Sequence, residues 1–120
     1  MKKLLVIALT LISFNACAFD EWSEADKTRE AVYLAVDTVD WLQTRNIARN
    51  PDKFFETNYY LGEHPSVGKV NGYFITIMLV HVGIVTALPS KYRSTFQYTS
   101  IAYEVSYVAG NYRLGISTKF

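Results

Sequence analysis

Asp37 and Asp40 stand three positions apart and share one side of a helical wheel with Thr44. Carboxylates at that spacing can share a proton. With His64 and His81 brought close, they could also ligate a divalent metal. Asn58, Asn71 and Glu104 complete the set of polar residues set among apolar or turn-forming neighbours. The competing reading is a structural polar network, because a polar group in a packed interior has to find a hydrogen-bond partner. No HExxH spacing, paired-cysteine motif or glycine-rich phosphate loop accompanies these residues. The expectation is therefore a network of Asp37, Asp40, Thr44, Asn58, His64, Asn71, His81 and Glu104, with no catalytic residue, metal or cofactor assigned. His81, mid-way along an apolar run, reads as a hydrogen-bonded core histidine. Glu104 reads as paired with a cation or reaching solvent.

The elements that must position these groups are helical. Ser23 and Asp26 have the spacing of a capping box, and a helix from about Glu24 to about Arg49 follows, ended by Asn50-Pro51. Val32, Ala35, Val36, Val39 and Leu42 form one apolar face of it, while Tyr33, Asp37, Asp40, Trp41 and Thr44 form the opposite face. A second helix runs from Val67 to Leu88, with Ser66 or His64 as its cap and Pro89 as its stop. Its Val70 to Leu88 part is apolar for about nineteen residues, enough in length for a membrane segment, although its polar insertions also fit a buried core helix. Gly72, Thr76, Gly83 and Ala87 form a stripe of the kind seen where helices approach closely. Lys91 to Ala109 reads as a third helix, with a hairpin turning at Ala109-Gly110-Asn111 as the rival, and an extended tail follows Gly110.

The linker between the first two helices, centred on Asn58 to Phe74, carries Gly62, Pro65 and Gly68 for its turns. Tyr59, Tyr60, Leu61 and Phe74 predict that it folds back onto the helices. The fold class expected is a small all-α bundle of three main helices with an ordered connector.

Composition and the N-terminus bound the function. The chain has 120 residues, half of them hydrophobic and 15% aromatic, with a formal net charge of +1, so nothing points to a nucleic-acid surface. Lys2 and Lys3, the apolar run Leu4 to Ile12 and Ala16-Cys17-Ala18 read as a cleaved signal peptide over residues 1–18, with one helical domain from Phe19 to Phe120. Lipidation of Cys17 is a rival reading, and an uncleaved N-terminal anchor is a third, although the apolar run is shorter than the ~20 residues a spanning helix needs. Cleavage would remove the one cysteine and leave export to the cell envelope, membrane-associated or periplasmic, without disulfide support. The terminal Phe120 after alternating apolar residues looks like the signal of outer-membrane barrels. A barrel needs at least about eight strands, for which these helices leave no room.

Asp40-Trp41-Leu42-Gln43-Thr44, taken with Asn58, Leu61-Gly62, His64-Pro65-Ser66 and Val70-Asn71-Gly72-Tyr73-Phe74, resembles a family of small exported or membrane-associated bacterial and phage-encoded proteins of uncharacterised function. The resemblance covers most of the chain after the leader and implies one bundled domain in which the connector matters. It transfers no catalytic residue. The function expected is that of a non-enzymatic, membrane-associated helical protein that binds an envelope partner or itself. The alternative is a small metal-dependent or acid/base enzyme using Asp37, Asp40, His64 and His81.

Overall fold

The computed structural model describes residues 19–118. The expected leader with Cys17, and the terminal Phe120, lie outside them. Three helices make up the fold: α1 (Glu24–Arg49), α2 (Val67–Ala87) and α3 (Ser90–Arg113). The helix reading of the third segment holds.

Each boundary has a local cause. Ser23 caps α1, its hydroxyl accepting from Asp26 N at 3.0 Å while Asp26 Oδ2 accepts from Ser23 N at 3.0 Å. Ser66, not His64, caps α2 by accepting from Lys69 N. Pro89 separates α2 from α3. The far end of α3 differs from expectation, because the helix passes through Gly110 and stops three residues later. There Ile116 N donates to Asn111 O and Gly115 N to Tyr112 O, both at 3.0 Å, and Gly115 sits at φ +79°. This is a Schellman ending, which needs its left-handed glycine at position 115 rather than 110. The segment beyond is not an extended tail from Gly110. Ile116 is buried, and Ser117 accepts from Asn46 of α1.

Cross-helix pairs fix the topology. Arg29 meets Gln97, Gln43 meets Val108 and Asn46 meets Ser117, so α1 and α3 run parallel. Glu30 meets His81 and Trp41 meets Asn71, so α2 runs antiparallel to α1. Helix α1 packs against both others, whereas α2 and α3 barely approach each other, an exception being the stack of His81 on Phe96. A cleft is left between them, floored by α1.

The interior is mainly polar. Asp26, Glu30, Asp37, Gln43, Thr44, His81, Arg93 and Gln97 are buried, outnumbering the buried hydrophobic side chains. The apolar face expected for α1 is therefore not its inner one. Val32 and Ala35 are exposed, and Val36, Val39 and Leu42 are only half-buried, while Tyr33, Asp37 and Thr44 point inward. A hydrophobic cluster lies at the connector end, where Leu61, Val70 and Phe74 pack with Trp41, Ala48 and Tyr73. Leu61 and Phe74 thus find cover, but Tyr59 (92% exposed) and Tyr60 do not. Nor does the small-residue stripe of α2 meet a helix: Gly72, Thr76 and Gly83 face outward, with open space beyond both glycines.

Candidate functional site

The inner seam of α1 runs Asp26, Glu30, Tyr33, Asp37, Asp40, Thr44, Ile47, in alternating steps of four and three. That spacing keeps the residues on one face over six turns and feeds two separate polar regions.

The first lies where the helices α1 and α3 begin. Arg93 is fully buried: its guanidinium donates to the carbonyls of Val85 (2.8 Å), Leu88 (3.1 Å), Glu21 (2.8 Å) and Asp20 (2.6 Å) and to Asp26 Oδ2 (3.3 Å). It ties the end of α2 to the segment entering α1. Asp26 also pairs with Arg29. Burial alone would raise the Asp26 carboxyl, but the Ser23 donors and the two guanidinium groups outweigh it and hold the carboxyl below its ordinary value. Gln97 accepts from Arg29 and donates to Asp26 O and to Glu30 Oε2. Glu30 Oε1 lies 2.8 Å from His81 Nδ1, and the imidazole is sandwiched between Tyr33 (3.5 Å between centroids) and Phe96 (4.8 Å). His81 is a packed core histidine with its second nitrogen, Nε2, buried and without a partner.

The second region is the cleft, a cavity of about 300 Å³. Asp37, Asp40 and Thr44 come from α1, Glu56 and Asn58 from the connector, Tyr73 from α2, and Tyr103, Glu104, Tyr107 and Asn111 from α3. Among its described lining residues there are four carboxylic acids and no lysine, arginine or histidine. Asp37 is 1% exposed, and its Oδ2 has no hydrogen-bond partner; Glu104 Oε2 is buried and equally unpartnered. Asp40 Oδ1 accepts from Asn111 Nδ2 at 3.1 Å, the same amide donating to Gln43. Asp40 and Glu104 also stand within hydrogen-bonding reach of each other.

Charge crowding follows from that geometry. Burial, and then the charge of Asp40, pushes the Asp37 carboxyl up to about 7. Burial, and then the charges of Glu104 and Glu56, does the same to Asp40, also to about 7. Burial with the nearby Asp37 raises Glu104 to about 7. Near neutral pH these acids therefore share protons instead of being fully ionised.

Of the eight residues singled out from the sequence, the fold brings Asp37, Asp40, Thr44, Asn58 and Glu104 together at the cleft. His64 is exposed in the connector, Asn71 accepts from Trp41 Nε1 at 2.9 Å, and His81 belongs to the Arg93 region. The expected single network is two, and neither imidazole lines the cleft with the aspartates. Glu104 is half-buried with its Oε2 enclosed, and the described cleft residues include no cation. Among the described residues, no group of three or more His, Cys, Asp or Glu is arranged to hold a metal ion. Sequence reasoning missed Arg93, Gln97, Glu30, Asp26 as more than a cap, and the cleft residues Glu56, Tyr103, Tyr107 and Asn111. The alternating four-three spacing of polar residues along α1 was the signal available for Asp26 and Glu30.

The geometry thus defines a small three-helix protein with an acidic, aromatic cleft on a polar seam. Comparison with family models, with curated proteins and with solved structures gives no match.

Proposed function

We propose that this chain is a non-enzymatic, membrane-associated protein of the cell envelope, held at the membrane by the outer stripe of α2 and acting by binding a partner at its cleft. The observation that carries the reading is the inversion of polarity. Polar and charged side chains make up about half of the buried residues, whereas Ile75, Leu79, Val80 and Ile84 of α2 and Val32 of α1 lie exposed. An exposed apolar surface of this kind marks a contact with lipid or protein. By length and composition helix α2 is long and apolar enough to cross a membrane, and much of its apolar surface is left uncovered by the other two helices. Export rests on the N-terminal pattern of Lys2 to Ala18.

An acid/base or metal enzyme built on Asp37, Asp40, His64 and His81 is the weaker reading, because the imidazoles and the aspartates stand in different places. Fractionation of the expressed full chain tests the association, with the mature N-terminus read by mass spectrometry. Retention through a salt wash, and release by detergent with Phe19 at the N-terminus, is the result expected. Release into the periplasm without detergent overturns the membrane part. Leu79→Glu with Val80→Lys, on the outer stripe, should shift the protein toward the soluble fraction with its helical content intact.

A further inference from the structure

We propose that the cleft between α2 and α3 is a receptor for an alkylammonium group, with Asp37 and Glu104 as its anchoring carboxylates. The inference rests on the reading of the chain as a binding protein and names the chemistry that its partner must present. Three observations point the same way.

The cleft floor holds two acid oxygens, Asp37 Oδ2 and Glu104 Oε2, that receive no hydrogen bond within the described protein. A buried acceptor left unpaired costs free energy, so each oxygen gains from a donor that a ligand brings. Asp37 is almost wholly enclosed, and the terminal torsion of an aspartate is soft, so its carboxyl can turn its free oxygen toward a group entering the cleft.

The charge balance selects a cationic donor. With four acids and no basic side chain among the described lining residues, the cleft repels phosphates, carboxylates and nucleic acids and attracts cations. The walls select an organic cation over a metal ion. Tyr73, Tyr103 and Tyr107 line the space, and the last two are held as an edge-on pair with ring centroids 4.8 Å apart and hydroxyls 3.0 Å apart. Tyrosine faces attract ammonium groups, and their rings cover an alkyl stem. A volume of about 300 Å³ far exceeds a bare ion, and among the described residues no three acids are grouped as metal ligands.

The groups facing an incoming ammonium are Asp37 and Asp40 on α1, Glu56 on the connector, Tyr73 on α2, and Tyr103, Glu104 and Tyr107 on α3. Because burial and mutual repulsion push Asp37, Asp40 and Glu104 up to about 7, a bound cation must displace shared protons. Affinity should therefore rise from about pH 6 to about pH 8. The ammonium can be the end of a partner's lysine side chain or of a free polyamine, since the two present the same chemistry.

Calorimetric titration of the full chain in a neutral detergent tests this. The probes are n-butylammonium, spermidine and Nα-acetyl-lysine amide, with n-butanol and butyrate as neutral and anionic counterparts. The result expected is saturable binding of the amines at about pH 8, weakened about tenfold or more in Asp37→Asn and in Glu104→Gln, with no binding of butyrate. Both substitutions keep shape, and helical content measured by circular dichroism identifies a variant that has lost its fold. Failure of every amine to bind overturns the proposal, as does equal binding of n-butanol or affinity untouched in two folded variants. Tighter binding of the lysine derivative identifies a protein side chain as the source; tighter binding of spermidine identifies a free polyamine. Amine binding by a protein released into the periplasm removes only the membrane part of the proposed function, whereas a membrane-held protein that binds no amine removes only the ammonium site.

Discussion

One face of α1 serves two polar regions that differ in a single respect, the presence of cations. Where α1 and α3 begin, Asp26 meets Arg29 and Arg93, and Glu30 meets Gln97 and His81, so acid oxygens are matched by donors. Two to three turns further along, Asp37, Asp40 and Glu104 face one another and Glu56, with the Asn111 amide donating to Asp40. The contrast separates two uses of buried charge. A matched set fastens elements together, since removing any member strands the others. An unmatched set holds capacity in reserve for a donor from outside, at a cost to the stability of the empty protein.

The largest effect should come from breaking the matched region. Arg93→Ala removes the donor to five backbone carbonyls, those of Asp20, Glu21, Val85, Thr86 and Leu88, and leaves Asp26 short of a partner, so a loss of about 3–5 kcal/mol is expected in equilibrium unfolding. A loss below about 1 kcal/mol would mean that this region does not hold the fold.

The opposite sign is expected in the cleft. Asp37→Asn removes a charge that burial disfavours and should stabilise the unliganded protein by about 1–2 kcal/mol at about pH 8, with little change near pH 5. A destabilised variant at both pH values would show that Asp37 has a donor in the empty protein.

The pH profile of thermal stability separates the two regions without mutation. Asp26 is held below its ordinary 3.8, so its contribution is present above that value and is lost as the pH falls through the folded value. The cleft acids titrate at about 7 in the folded chain, against ordinary values of 3.8 for aspartate and 4.5 for glutamate. Between roughly pH 4 and pH 7 the folded chain thus binds more protons than the unfolded one, and stability should fall as the pH rises through that window and level off above it. The expected profile has its maximum near pH 4 to 5, and a maximum near pH 8 would contradict the unmatched character of the cleft.

Ser23→Ala, which removes the cap that also orients Asp26, should cost about 1 kcal/mol in the same unfolding measurement. Tyr107→Phe is the smallest change. It removes one exposed hydroxyl contact with Tyr103 and should alter stability by less than about 0.5 kcal/mol while leaving the aromatic wall of the cleft in place.

Local chemistry made the helices legible: the Ser23 and Asp26 capping box, the stop at Asn50-Pro51, the Ser66 cap and the break at Pro89 all act within a few residues of where they stand in the chain. Asp37, Asp40 and Thr44 share one side of α1 and line one cleft because a helix fixes their relative positions by spacing alone. Which face turns inward was not legible. The rule that apolar faces are buried pointed to Val32 and Val36, and it failed because Glu30 takes its partners from α2 and α3, Asp40 takes the Asn111 amide from α3, and Asp37 is buried with one oxygen unpartnered. The split of the eight candidate residues into two regions had the same cause. His81 reaches Glu30 rather than Asp37 through the antiparallel register of α2 on α1, and Glu104 reaches Asp40 through the parallel register of α3.

By itself, then, the sequence determined three helices, their ends and the residues that share a face, since caps, breakers and the helical repeat are short-range constraints. The tertiary structure alone decided that the polar seam lies inside, that one part of it is charge-matched and the other is not, and that a cleft opens between α2 and α3. Those outcomes depend on pairings between residues about 30 to 70 positions apart, which local spacing does not encode.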